Sequence, residues 1–320
     1  MRLSRAWSAA AALTIAGCGS GAGTAPHAPS VAVRGPTTLA QTTASAPKSA
    51  HKPALPAYPQ ITDAATSTNA TSFVPAVLIG GRPAAWIART GSGLTLLSFD
   101  QRLVELRLHS GTADPGGSGW RVGPVLAAGE RRGLAAAFNG AFKLSTGAGG
   151  YESFGRVAAP VRAGLGSVVT YSDGSTDIGA WGREVPAAGH AVVSVRQNLS
   201  PLIDHGTPAS TLDCRACWGK TLGAVDDPAR AALGVTADGR LIWAAGEHMT
   251  VRALANALLG ARVVRAVELD INPEWVAGYL YGHHGDGGLL TPVPALPTQH
   301  GIPGEFLTPW SRDFFTIVAR

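Results

Sequence analysis

The chain has 320 residues, 26 Lys plus Arg against 21 Asp plus Glu, a formal net charge of +5 and a sequence pI near 9.4. Such a balance invites a nucleic-acid partner, yet lysines occur only at 48, 52, 143 and 220 and the arginines stand singly, with no basic run or recognition-helix pattern to follow a phosphate backbone. Nucleic acid is excluded as a partner on that ground, and no second long apolar stretch follows the one at the N-terminus.

The N-terminus reads as an address. Arg2 and Arg5 precede an apolar run from Ser8 to Gly17, of signal-peptide length and too short to span a bilayer. It ends Thr14-Ile15-Ala16-Gly17-Cys18, which resembles the lipobox of bacterial lipoproteins, with an aliphatic residue three before the Cys and two small residues between. The resemblance implies a signal peptide over residues 1–18, lipid on Cys18, and an exported protein anchored to the outer face of the bacterial cell membrane. A plain secretory signal with an incidental Cys is the alternative. Residues 19–72 are mostly Ala, Thr, Ser, Pro and Gly, a composition that cannot bury enough surface to order itself and is expected to be a disordered tether. Residues 73–320 suit one large domain, expected to be α+β, with a mixed, mostly antiparallel β-sheet core, hairpins and a few packing helices.

In chain order, β-prone runs at Phe73–Ile79, Ala84–Ala88, Leu94–Phe99 and Leu103–Leu108 are separated by turn residues, and an exposed Gly-rich excursion is expected over Gly111–Gly119. Leu134–Phe138 is a small, apolar strand ending in Asn139-Gly140. Gly147–Gly150 reads as a mobile loop without the strand and helix that a phosphate-binding loop needs. Hairpin signals at Ser172-Asp173-Gly174-Ser175 and Ala237-Asp238-Gly239 lie between short strands. Next, Val251, Leu254, Ala255, Leu258 and Leu259 form one apolar helical face, with Thr250 as N-cap and Gly260 as the stop. A strand over Val263–Asn272 follows, and Phe314–Val318 closes the chain.

The Val263–Asn272 run is the most telling. Side chains alternate across a strand, so Val267, Leu269 and Ile271 point one way and Glu268, Asp270 and Asn272 the other, with neighbours in the row about 7 Å apart. Two carboxylates therefore stand together where Pro273 takes the chain out of the sheet.

Three segments in this order resemble the phosphodiester glycosidase domain, the family of the lysosomal enzyme that removes N-acetylglucosamine to uncover mannose 6-phosphate. They are Ala136-Ala137-Phe138-Asn139-Gly140-Ala141-Phe142; Pro228 to Arg240, with Arg230 at its start; and Glu268-Leu269-Asp270 after the capped helix. The resemblance spans residues 73 to 320. It implies a hydrolase cleaving a sugar C1–O–phosphate bond in the cell envelope, with a phosphorylated carbohydrate or envelope glycan as partner and no cofactor. Asn139 and Gly140 match the first motif, Arg230 the second and Asp270 the third. Ala141 stands where the family has a second Gly, and Ile271-Asn272-Pro273-Glu274 replaces its Gly-Gly and following Ser or Thr. These departures imply either a different substrate position or an inactive lipoprotein that binds glycans or phosphorylated polymers in the same cleft.

On that implication, Asp270 serves the anomeric carbon as nucleophile or as base for water, with Glu268 as second carboxylate or orienter. Arg230 holds the departing phosphate, because a guanidinium pairs bidentately with its oxygens and stays charged; a surface pair with Asp226 or Asp227 is the bland reading. Asn139, Gly140 and Asn272 are the candidate substrate-binding positions, and Arg196-Gln197-Asn198 is a further candidate for the cleft wall. Cys214 and Cys217 lie in a stretch without helical period, which favours a small structural disulfide over a redox pair or half a zinc site. His283 and His284 are adjacent on an expected loop with no third ligand in view, so no metal is expected. Trp275, Tyr279 and Tyr281 offer rings for stacking on sugars, Trp275 being better suited to packing at the strand end.

Overall fold

A computed structural model describes residues 58–67, 71–219, 227–285 and 288–320, all within the compact unit Ala54–Arg320. Cys18, the expected signal peptide, most of the expected tether and Asp226 lie outside the described residues. Residues 58–67, within the span expected to be tether, belong to the fold. Gln60–Ile61 is an edge strand paired with Val77 and Leu78, and Ala65 is fully buried in the short helical turn that follows.

The architecture is mostly β. Every strand ladder among the described residues is antiparallel, and only two α-helices, Ala128–Gly133 and Val251–Gly260, accompany the strands. The expectation of a mixed sheet in an α+β fold is corrected accordingly. Gly-containing turns join consecutive β-prone runs into hairpins, and strands distant in sequence then pair antiparallel between them, as Thr95–Phe99 does with Leu241–Gly246 and Leu134–Asn139 with Phe314–Ala319.

Three sheets result. The largest runs Gln60–Ile61, Val74–Ile79, Arg82–Arg89, Thr95–Phe99, Leu241–Gly246, Arg230–Thr236, Val263–Glu268, Ile203–Asp204, Thr207–Pro208. A second runs Thr176–Ala180, Gly166–Tyr171, Val192–Gln197, Tyr151–Ser153, Arg156–Ala159. The third runs Leu289–Pro294, Gly278–His284, Leu134–Asn139, Phe314–Ala319, Val104–His109. The main core lies between the first and third sheets, where Phe138 packs on Phe99, Trp243 and Phe315 with ring centroids 5.6–6.2 Å apart. Leu134–Asn139 is buried at all six positions, and its run of alanines, Ala135, Ala136 and Ala137, sits where both faces are covered by neighbouring layers.

The capped helix forms as its pattern requires. Thr250 Oγ1 accepts the Ala253 N–H at 3.1 Å, a cap worth about 1 kcal/mol, and Val251, Leu254, Ala255 and Leu258 are buried. Its stop differs from the expected one. Gly260 is the last helical residue, and the left-handed turn falls on Arg262 at φ 62°. The next strand is also shorter than expected, ending at Glu268, with both Val267 and Glu268 buried. One polar and one apolar face gives way to burial on both sides, because the second sheet packs on the Val267 face and the capped helix, with Trp218 and Met249, covers the other. Ala148–Gly150, within the expected mobile loop, is buried too, and a Cβ at Gly149 or Gly150 would lie 2.6 Å from neighbouring backbone. No described helix is long and apolar enough to cross a membrane.

Candidate functional site

Antiparallel pairing sets Ala232 opposite Glu268, so the start of Arg230–Thr236 lies beside the end of Val263–Glu268. Leu269 N–H donates to Ala231 O at 2.7 Å and Asp270 N–H to Gly140 O at 2.9 Å. The second bond ties this corner to the end of Leu134–Asn139 in the other sheet. Three segments far apart in sequence therefore meet at Asn139, Gly140, Arg230, Glu268 and Asp270.

Arg230 donates to Glu268 Oε1 at 2.5 Å, to Met249 O at 2.9 Å and to Trp218 O at 3.2 Å. The pair is buried, at 3% and 0% side-chain exposure. Asp227, the described one of the two carboxylates considered as its partner, is replaced by Glu268. Burial pushes the Glu268 carboxyl up to about 8 against the pull of Arg230, and its Oε2 has no protein partner.

Asp270 is 6% exposed. Its Oδ1 accepts the N–H groups of Ile271 at 2.8 Å and Asn272 at 3.0 Å, and its Oδ2 accepts Arg312 at 3.0 Å. Burial raises its pKa, while Arg312 and the two backbone donors pull the other way. Of the two carboxyls, Asp270 has the fuller set of donors for a negative charge and Glu268 the poorer one. This is the kind of environment that separates an anion from a proton-bearing neighbour.

Asn139 donates to Gly140 O at 3.0 Å and leaves its Oδ1 without a protein partner; the buried Asn198 donates to Glu268 O at 2.8 Å and leaves Oδ1 in the same state. Asn272 stands apart. Its side chain accepts the Glu274 N–H at 3.1 Å and caps a turn.

A second layer of charge joins Arg196, one of the cleft-wall candidates, to Asp313, with Arg312 beside it; Arg312 and Asp313 were not legible as site residues. Arg196 donates from Nε to Asp313 Oδ2 at 2.8 Å, and also to Phe142 O and Gln197 O, with both members of the ion pair essentially sealed from solvent. Arg312 reaches Ala141 O at 2.9 Å as well as Asp270, lies 3.5 Å from Asp114, and its guanidinium is 5.5 Å from the Trp275 ring. The available signal was Arg312-Asp313 immediately before the final apolar run. Gly140 is required by this layer. A Cβ there would fall 2.2 Å from Asp313 Oδ2 and 2.5 Å from Asp313 O, so G140A is expected to cost about 1–3 kcal/mol through overpacking. A lowered urea midpoint at unchanged m-value would register it, and an unshifted midpoint would refute it.

The other sequence candidates are accounted for elsewhere. Cys214 and Cys217 form a disulfide around a short helical turn that ends at buried Trp218. His283 and His284 lie in the strand Gly278–His284 rather than on a loop; His283 Nε2 contacts Leu134 O at 2.6 Å and His284 Nε2 contacts Thr291 Oγ1 at 3.0 Å. Tyr279 and Tyr281 are fully buried, while Trp275 packs edge-on to Trp310 with centroids 5.7 Å apart. Glu184, Asp204 and His205 bring ligand atoms within 4.8 Å of one another, but Arg183 lies 3.4 Å from Glu184 and 2.8 Å from Asp204 and offsets their charge.

No family model matches the chain, and no curated protein matches it. Among solved structures it is similar to the zebrafish N-acetylglucosamine-1-phosphodiester alpha-N-acetylglucosaminidase catalytic domain, auto-inhibited by its pro-peptide. The identity is 17%, over 82% of this chain and 88% of that one, with a TM-score of 0.44. It is also similar to a hypothetical protein from Synechocystis at 13% identity, over 76% of this chain and 63% of that one, with a TM-score of 0.40. These are distant likenesses in the course of the backbone, so the chemistry must be argued from the side chains of this chain.

Proposed function

We propose that this chain is a hydrolase acting on glycosyl phosphodiesters in the cell envelope, exported and lipid-anchored through Cys18, with its centre at Asp270, Glu268 and Arg230. The observation that carries the reading is the meeting of Asn139, Arg230, Glu268 and Asp270 from three separate segments, with oxygens of Asn139, Asn198 and Glu268 left without a protein partner. Each such buried group costs about 1–3 kcal/mol, a cost retained where a ligand supplies the missing partner.

In this mechanism the ionised Asp270 serves the anomeric carbon, as nucleophile or as the base that takes a proton from attacking water. The C1–O electron pair leaves with the phosphate, whose charge meets the Arg230 guanidinium. Glu268 holds Arg230 in place through Oε1 and, protonated near neutral pH, offers an O–H from Oε2. The amides of Asn139 and Asn198 supply hydrogen bonds to sugar hydroxyls.

The near-complete burial of Asp270 and Glu268, and Ile271-Asn272-Pro273 in place of small residues, favour a second reading: a lipoprotein that binds glycans or phosphorylated polymers without turnover. One assay separates the two. The purified protein is offered a chromogenic sugar-1-phosphodiester beside its D270N variant. Turnover that falls by about 10²–10⁴ in D270N supports the hydrolase. Saturable binding without turnover in the unaltered protein supports the binder and ends the enzymatic reading.

A further inference from the structure

A groove of about 490 Å³ lies between the second and third sheets, away from Asp270, a volume in the range of small-ligand sites. One wall is built from cross-strand neighbours. Ser194 pairs in register with Ser153 on one side and Thr170 on the other, so three hydroxyls stand in a row across three adjacent strands. Thr170 Oγ1 and Ser194 Oγ are 2.6 Å apart, while Ser153, 2% exposed, has no protein partner for its Oγ. The facing wall is the outer edge of Val104–His109, whose five residues from Glu105 to His109 all line the groove. Consecutive lining residues mean that the groove meets this strand edge-on, where backbone N–H and C=O groups point outward.

Among the described residues, the charges at the groove are paired except at Arg121. Glu105 pairs with Arg107, and Glu130 with His109 and more distantly with Arg107. Arg121 has no carboxylate partner among the described residues; its guanidinium lies 4.5 Å above the ring of Phe154, which is 40% exposed. The groove therefore offers a hydroxyl row, an exposed aromatic face and one guanidinium without a carboxylate partner among the described residues. The charged pair Glu105–Arg107 on the open edge is of the sort that discourages addition of a peptide strand.

We infer that this groove binds a polyhydroxylated ligand carrying an anionic group, a sugar acid or a sugar phosphate, with its hydroxyls on Ser153, Ser194 and Thr170 and its anion on Arg121. The site is distinct from the corner at Asp270. Its inner end lies one side-chain row, about 7 Å, from the Arg196–Asp313 pair, because Ser194 and Arg196 share a face of their strand. A glycan held here would extend toward that corner, but binding in the groove does not depend on turnover there.

Calorimetric titration of the intact protein with trigalacturonate, glucose 1-phosphate, maltotriose and tetra-alanine tests the assignment. The first two are to distinguish a sugar acid from a sugar phosphate, the third is the neutral control and the fourth an extended peptide. Expected is binding of at least one anionic probe in preference to maltotriose. Its Kd should weaken at least about tenfold in R121A, be largely kept in R121K and be unchanged in D270N. R121A removes an exposed side chain, so folding is not at issue, and S194A supplies a second variant on the hydroxyl row with the same expected direction. Failure of both anionic probes to bind at millimolar concentration, affinity indifferent to R121A, or binding of tetra-alanine in their place would each overturn the proposal. Loss of binding in D270N would overturn the separateness of the two sites.

Discussion

Replacing Asp313 with alanine is expected to destabilise the protein by about 3–5 kcal/mol, the largest single effect the structure supports. Arg196 is 1% exposed, and its charge is compensated by Asp313 alone among the described carboxylates within salt-bridge distance. Burial works to lower the Arg196 pKa and Asp313 beside it prevails in raising it, so removing the carboxylate strands a guanidinium in the interior. Ala141 N–H loses its acceptor at the same time. For a domain of this size the loss corresponds to a Tm lower by about 2–4 °C per kcal/mol. The origin of the cost is open to a direct check. If it is the stranded charge, the double variant R196M/D313L recovers much of the loss, since an apolar pair of similar volume avoids desolvation altogether. A D313A variant with an unshifted Tm, or a double variant worse than the single, would contradict this account.

Several strands and one of the two α-helices were legible because their signals are local. Alternation, Gly-containing turns and the Thr250 cap act within a few residues, and Val74–Ile79, Val251–Gly260 and Phe314–Ala319 form close to their expected spans. The helix Ala128–Gly133 and the strands Tyr151–Ser153, Arg156–Ala159, Gly278–His284 and Leu289–Pro294 were not foreseen. Misjudgements arose where tertiary burial decides. Val263–Asn272 reads as a half-buried strand because alternation of apolar and polar residues is the usual mark of one. Here the polar side is covered by the capped helix and the segments around Trp218 and Met249, and Glu268 is buried with an arginine in place of water. Arg230 illustrates the same limit. Its nearest carboxylates in sequence are Asp226 and Asp227, but antiparallel pairing hands it Glu268, 38 residues away. Arg196, Arg312 and Asp313 carry no local sign of burial, since an isolated Arg-Asp is ordinarily a solvated surface pair. Only the closing strand, which sets Phe314 opposite Asn139, brings Asp313 to the corner. His283 and His284 show the converse: a His-His-Gly sequence suggests a loop, whereas pairing with Leu289–Pro294 holds both in a strand.

Stability is expected to fall as pH rises from about 5 to about 8.5, with Glu268 as a principal cause. Its carboxyl is pushed up to about 8 in the folded protein, from an ordinary value of 4.5. A carboxyl whose folded pKa is raised binds its proton more tightly when folded; its contribution is complete below the ordinary value and is lost as pH climbs through the folded one. Asp270, also raised, acts in the same direction, and so does Glu305, pushed up to about 7 by burial. Glu130 works at the acid end instead: His109 holds it below its ordinary value, against burial, so its contribution is lost as pH falls. E268Q isolates the first of these. The amide keeps an oxygen for Arg230 and adds N–H where Oε2 lacks a partner, so thermal scans should show a shallower decline above pH 5 and a Tm at pH 8.5 equal to or above that of the unaltered protein. E268A, by contrast, leaves Arg230 without its side-chain acceptor and opens a void in the buried pair, and should be less stable than the unaltered protein. If Glu268 also lends its proton to the reaction, kcat/KM in the unaltered protein falls above about pH 8, and E268Q abolishes that alkaline limb while D270N lowers the rate throughout. An E268Q protein whose Tm follows pH as steeply as before would show that Arg230 keeps Glu268 ionised when folded, and the proton would then have to be sought on Asp270.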